Sequence, residues 1–286
     1  MKKFGIILGL ASIGWLAYAS TVYRFEVPKL DAERILFNFS FPAGACQLYA
    51  QTQHVPIQIQ GHMEASELQQ VNFLYEPHGK DYLVTFGLYS QSQLTMSELR
   101  QSYASRSWEV LLDPAETFGL KLQYGMGRSV ADLSGLKISH LHLQTGHADV
   151  AVRYAPDRPN TMEMEEFQAT VDYGVLRVDR LDLAKPRVFR AEVGVGELQL
   201  GFSPTLQRSC HATVNVGAGK LKAKLPNAQH RIRLKIDDSL VASVSLPDGF
   251  QRHQGYWVNQ AYLQQSSGHL LSFDVSVSMG SVSFYW

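Results

Sequence analysis

ADLSGLKISHLHLQTGHADVAVR, residues 131–153, holds the pattern on which the reading of the fold turns. After Gly146 the side chains alternate, with Ala148, Val150 and Val152 on one side and His147, Asp149 and Arg153 on the other. A period of two marks a strand with one buried face. The same alternation follows Gly196 as Leu198, Leu200 and Phe202, and follows Gly219 as Leu221, Ala223 and Leu225. Phe273, Val275 and Val277 continue it, and Val282, Phe284 and Trp286 carry it to the last residue.

Gly125, Gly146, Gly174, Gly194, Gly217 and Gly280 stand 21, 28, 20, 23 and 63 residues apart, with Gly249 inside the longest interval. A repeat near twenty residues, in which one alternating strand enters a glycine corner and another leaves it, predicts a stack of units that bury their apolar faces against one another. Glycine suits such a corner where φ is positive, or where neighbouring backbone comes too close for a Cβ. Working outward, Val55, Ile57 and Ile59 alternate with Gln58 and Gln60, and residues 82–89 form an aromatic and β-branched run; both predict strands. Thr95 and Glu98 have the spacing of a helix-capping box, but the Ser- and Tyr-rich surroundings make a loop or hairpin the expectation for 90–107.

Lys2 and Lys3, an apolar run over 4–16 and the Ala17-Tyr18-Ala19 triplet read as an export leader cleaved before Ser20. The alternative is an uncleaved anchor, because weakly polar residues extend the run to Tyr23 and towards a bilayer-spanning length. The chain therefore divides into a leader at 1–19, a β-rich region at 20–107 and a stacked β domain at 108–286. Charged residues are only 18% of the 286, which favours a folded chain over a disordered one. Lys+Arg and Asp+Glu are balanced at 26 each, so no global field draws in nucleic acid or an anionic membrane, and any electrostatic partner must use a local patch. Cys46 and Cys210 are too few for a disulfide scaffold; one long bridge is conceivable, but two buried free thiols are the expectation.

WEVLLDP from Trp108, LKLQYGMG from Leu120 and, above all, ADLSGLKISHLHLQTGHADV from Ala131 resemble the bacterial toast-rack domain and the related LiaF-like, adhesin-like β-repeat families. The resemblance covers about 108–225. It implies a right-handed β-solenoid on the outer side of the cytoplasmic membrane, with no set of catalytic residues to carry over. This chain lacks the multi-helix membrane region of the LiaF-like proteins, so their signalling role is not implied.

His140 and His142 project from one strand face, with His147 nearby, a geometry able to grip Zn²⁺ or Cu²⁺; an ordinary polar strand face is the competing reading. Glu163, Glu165 and Glu166 lack the loop grammar of a calcium site. Lys220, Lys222 and Lys224, then Arg231, Arg233 and Lys235, predict two adjacent outward basic rows joined by a turn at Pro226-Asn227. Such rows offer a surface for anionic lipid or polysaccharide, although exposed lysines also serve to discourage edge pairing. No nucleophile elbow, phosphate loop, metalloprotease helix or dinucleotide fingerprint is present. The expectation is an exported, periplasmic or surface-located, non-enzymatic envelope protein without cofactor. It would work with an envelope component or partner protein, and reach the membrane, if at all, through its N-terminus or basic face. A carbohydrate-active enzyme with acids aligned on one face, and an outer-membrane β-barrel, are the alternatives.

Overall fold

The computed structural model describes residues 3–4, 6–10, 21–63, 65–88 and 107–286. Among them the fold is all-β, with 22 strands in one mixed hydrogen-bonded sheet, two short 3-10 turns and a single turn of α-helix at Gln260–Leu263. No helix among the described residues is long and apolar enough to cross a membrane. The expected capping box at Thr95 and Glu98, and the expected cleavage point before Ser20, lie outside the described residues.

The centre of the molecule is a parallel ladder of rungs, each with a first-arm segment, a corner and a second-arm segment. In Ile35–Ala50, Thr117–Asp132 and Lys137–Arg153 one long strand supplies both arms. In later rungs the corner splits the strand, as in Met164–Val171 with Val175–Val178 and Pro186–Val193 with Glu197–Gly201. On the first arm Phe39, Leu122, Leu143, Ala169, Ala191, Val214 and Val275 stand in one register row. On the second arm Leu48, Ala131, Val152, Val178, Leu200, Ala223 and Phe284 do the same. Alternation puts every one of these inside, because shifting any strand by one residue would turn its apolar set to water.

The inward faces of the two arms form one core. Phe273 on the first arm meets Phe284 and Phe202 on the second edge to face, with centroids 5.1 and 5.8 Å apart. At the other end Phe25, Phe73, Phe86 and Trp108 form an aromatic cluster, centred on contacts of 5.3 Å from Phe86 to Phe25 and to Trp108. That end is not part of the parallel stack alone. Asp81–Leu88 and Ser107–Leu112 flank the two halves of Ile35–Ala50 in parallel, then Val71–His78, Ile57–Met63 and Thr21–Val27 follow antiparallel. Beyond them the backbone of Ile6–Leu10 adds antiparallel to Thr21–Val27.

The glycine corners exist, but their reason is narrower than the sequence suggested. In the column Gly127, Gly174, Gly196, Gly219 and Gly280 only Gly127 has positive φ, at 103°. The others sit where a Cβ would lie 2.1 to 2.4 Å from a carbonyl oxygen of the preceding rung. Close stacking, not turn conformation, excludes a side chain there. Gly125, Gly146, Gly194 and Gly217 form a second column, looser after Gly125, where a Cβ would still lie 2.1 Å from the Pro42 carbonyl oxygen, so the intervals counted from the sequence mixed two columns. Gly249 belongs to neither: it has φ 91° and nothing within 4 Å of a Cβ.

The 63-residue interval before Gly280 does not hold three regular repeats. The chain leaves Lys220–Lys224, builds Arg231–Asp238 and Ser243–Ser245 one rung further out, then returns to fill the gap with Leu270–Val277 and Ser281–Tyr285. Tyr256–Asn259 pairs antiparallel onto the outer edge of Arg231–Asp238, which shields an edge open to further pairing. Trp286 does not join the inward row: it is 41% exposed and stacks on Phe250 at 5.7 Å. Among the described residues the sheet ends on different strands and does not close into a barrel.

Cys46 and Cys210 are free and buried, the first on the second arm and the second on the first arm several rungs away. Burial pushes the thiol of Cys46 far above its ordinary range and that of Cys210 up to about 12. A thiol reagent at pH 8 is expected to label neither until denaturant is added; rapid labelling of native protein would contradict this burial.

Candidate interaction surfaces

The six basic residues singled out in the sequence all lie outward, but the structure does not bring them into one site. Lys220, Lys222 and Lys224 are on the second arm, between Glu197–Gly201 and Ser281–Tyr285. Arg231, Arg233 and Lys235 are on the first arm, beside Leu270–Val277. The expected adjacency fails because the turn after Leu225 crosses between arms and the returning rung is inserted. Several of the charges are also engaged. Lys222 Nζ is 2.9 Å from Glu197, Lys235 is 3.6 Å from Asp237, Arg231 donates to the Gly268 carbonyl, and Arg233 lies 4.7 Å over the Tyr256 ring. Lys220 and Lys224 remain exposed with no ion pair among the described residues.

His140 and His142 do share the outward face, where the bulge at Ser139 resets the alternation so that Ile138 and Leu141 both point inward. His140 is held by Glu165 at 3.2 Å and by contacts of its Nδ1 with Arg34 and Ser139. His147 stacks on Tyr173 at the corner, with centroids 4.7 Å apart. No cluster of three or more His, Cys, Asp or Glu able to hold a metal occurs among the described residues. The acidic trio is likewise taken up one by one: Glu163 by Arg208, Glu165 by His140 and Glu166 by Arg190. The hydrogen bond from Arg208 is the main cause holding the Glu163 carboxyl below its ordinary pKa.

A feature that was not singled out in the sequence is the row of corner tips. Tyr173, Val195, Ala218 and Met279 occupy the outermost position of successive corners, each donating its N–H to the preceding rung, and Leu240 and Val241 occupy the corner of the outermost rung. Tyr173, Val195 and Met279 are 61%, 57% and 67% exposed, Val241 72%, and Leu240 is fully exposed. Five of the seven exposed large apolar residues among the described ones therefore lie on this single ridge. The signal was present in the sequence as the residue immediately before a corner glycine, in Asp172-Tyr173-Gly174, Gly194-Val195-Gly196 and Ser278-Met279-Gly280. The first-arm flank of the ridge carries Asp172, Glu192, Asp237 and Asp238, while the second-arm flank mixes Arg128, Asp149, Glu197 and Lys220.

No family model and no curated protein matches the chain. Among solved structures it is similar to a proposed cell adhesion protein from Clostridium sporogenes, with a TM-score of 0.45 and 15% identity over 92% of this chain and 97% of that one. It is also similar to a proposed adhesin from Bacteroides fragilis, with TM-score 0.37, 7% identity and coverage of 92% and 97%. A proposed lipid binding protein from Parabacteroides distasonis gives 0.35 at 11% identity, over 93% and 97%. The resemblance is distant and is to adhesin-like bacterial proteins in general, not to the toast-rack or LiaF-like group in particular. Nothing about this chain's ligand or partner follows from it.

Proposed function

We propose that this chain is an exported, envelope-resident, non-catalytic protein whose described residues from Thr21 onward form one right-handed β-solenoid unit and hold a protein partner along the apolar corner ridge. The observation that carries this reading is the ridge itself. A corner tip points to solvent whatever its identity, so folding does not ask for Tyr, Val, Met and Leu there, and an aligned apolar row of this kind marks a surface that something covers. The acidic first-arm flank favours a groove with a basic lip over an anionic bilayer. Continuity of Ile35–Ala50 with Thr117–Asp132 supports the single unit, and right-handed crossover is the rule for parallel strands in one sheet.

A photo-crosslinking residue at Val195 is expected to trap one discrete adduct in intact cells, lost when Tyr173, Met279 and Leu240 are changed to serine with thermal stability unchanged. Adducts from a crosslinker at Lys222 with none at Val195 would sink the assignment. A second reading, contact with an anionic lipid or polysaccharide, rests on the unpaired exposed Lys220 and Lys224 with Lys222 between them. It does not include Arg231, Arg233 and Lys235, which face away on the other arm. Its check is retention on an anionic polysaccharide, which should fall for the double variant Lys220→Gln, Lys224→Gln.

A further inference from the structure

The outward face of the first arm is mostly polar; apart from Val188, its aliphatic side chains gather near its N-terminal end. Leu83, Leu36 and Gly119 stand side by side on three paired strands and form the floor of a hollow of about 330 Å³. The hollow exists because position 119 has no side chain; a Cβ there would come 2.9 Å from Leu36 Cδ2. His140 and Glu166 continue the floor row onto the next two strands and close that side of the hollow, and one outward row further along Asn38, Lys121, His142 and Gln168 form its rim in continuous register.

These four side chains differ from their neighbours. His140, Glu166 and Gln144 on the same face are each bound to other side chains: His140 to Glu165, Glu166 to Arg190, and Gln144 to Gln123 and Asp172. Asn38, Lys121, His142 and Gln168 make no side-chain hydrogen bond or ion pair among the described residues. Burial first, and then the Lys121 ammonium, push the His142 imidazole below its ordinary pKa against the smaller pull of Glu166. At neutral pH His142 therefore offers one N–H donor and one acceptor.

We infer that the hollow over Gly119 is a binding site for one carboxylate-bearing sugar ring. Leu36 and Leu83 provide an apolar floor for a ring face. Asn38, His142 and Gln168 supply mixed donors and acceptors for hydroxyls, and Lys121 supplies the single uncompensated cation for a carboxylate. The volume falls at the lower end of small-molecule sites, which suits one ring. One ammonium without a guanidinium fork is a poor phosphate site by comparison. The inference is independent of the corner ridge, which lies at the far end of the first-arm strands.

Saturation-transfer NMR on the full chain with glucuronate, glucose and acetate tests it. Wild type should transfer saturation to the ring protons of glucuronate and bind it more tightly than either glucose or acetate. Lys121→Gln, a surface change that leaves the fold intact, should weaken glucuronate about tenfold, the loss of one charge-assisted hydrogen bond, and leave glucose unchanged. Gly119→Ala, checked for a native amide spectrum, should weaken both sugars. Absence of transfer to glucuronate in wild type, equal binding of acetate and glucuronate, or indifference to both substitutions would each overturn the assignment.

Discussion

Gly174→Ala is expected to destabilise the protein by about 3 kcal/mol or more, well beyond the usual cost of one added methyl. The new Cβ would stand 2.1 Å from the carbonyl oxygen of Ala148 and 2.9 Å from its carbonyl carbon and nitrogen. These are backbone atoms of the preceding rung, already fixed by pairing of Val175–Val178 with the second half of Lys137–Arg153, so no side chain can swing aside. Relief requires parting two rungs, which stretches ladder hydrogen bonds and opens the core beneath. For a chain of this size the loss amounts to a fall of roughly 6–12 °C in the unfolding midpoint. The control is Gly249→Ala, where nothing lies within 4 Å and only the positive φ opposes a side chain; about 1 kcal/mol is expected there. Equal midpoints for the two variants would mean that the rungs are not stacked as described.

Asn160→Ala should be comparably severe for a different reason. Asn160 is fully buried in the return from one rung to the next. Its Oδ1 accepts from the Ile138 N–H at 2.9 Å, and its Nδ2 donates to the carbonyls of Ile138, Met162 and Ala184 at 2.9, 3.0 and 3.1 Å. One side chain thus satisfies backbone groups from three successive passes of the chain. Alanine would leave these groups without it in a dry interior, at about 1–3 kcal/mol for each that finds no other partner. The expected result is a loss of about 3–5 kcal/mol, with amide exchange at Ile138 accelerated before global unfolding. Asn160→Asp keeps the acceptor but loses the donors and buries a charge, so it should rescue little. Asn259 does the same work near the outer edge, accepting from Ile232 and Tyr262 and donating to Ala228 and His230.

The inward rows were legible because alternation is a local property: Ala148, Val150 and Val152, and Leu221, Ala223 and Leu225, are buried as the period of two requires. Rung order was not, because nothing local distinguishes a strand laid beside its predecessor from one laid a rung beyond it. That is why Arg231–Asp238 and Leu270–Val277 exchange their expected places, and why two basic strands consecutive in sequence fall on opposite arms. Asn160 and Asn259 look like ordinary turn residues until three passes of backbone converge on the first and two on the second. The hollow over Gly119 is a product of register between Leu36, Leu83 and Gly119, which are up to 83 residues apart. The tips at Tyr173, Val195 and Met279 could have been read, since each stands immediately before a corner glycine, at the apex of its turn.

Rung order puts these tips in one continuous row, 173, 195, 218, 279, 240. Spin labels placed in pairs at Val195 with Met279 and at Val195 with Leu240 measure it directly, because the buried native thiols leave the introduced ones to react. With neighbouring rungs about 4.8 Å apart, the first pair should lie about 10 Å apart and the second about 14 Å. The shorter distance is thus expected between the residues further apart in sequence. A Val195 to Leu240 distance shorter than Val195 to Met279 would contradict the inserted rung and break the ridge.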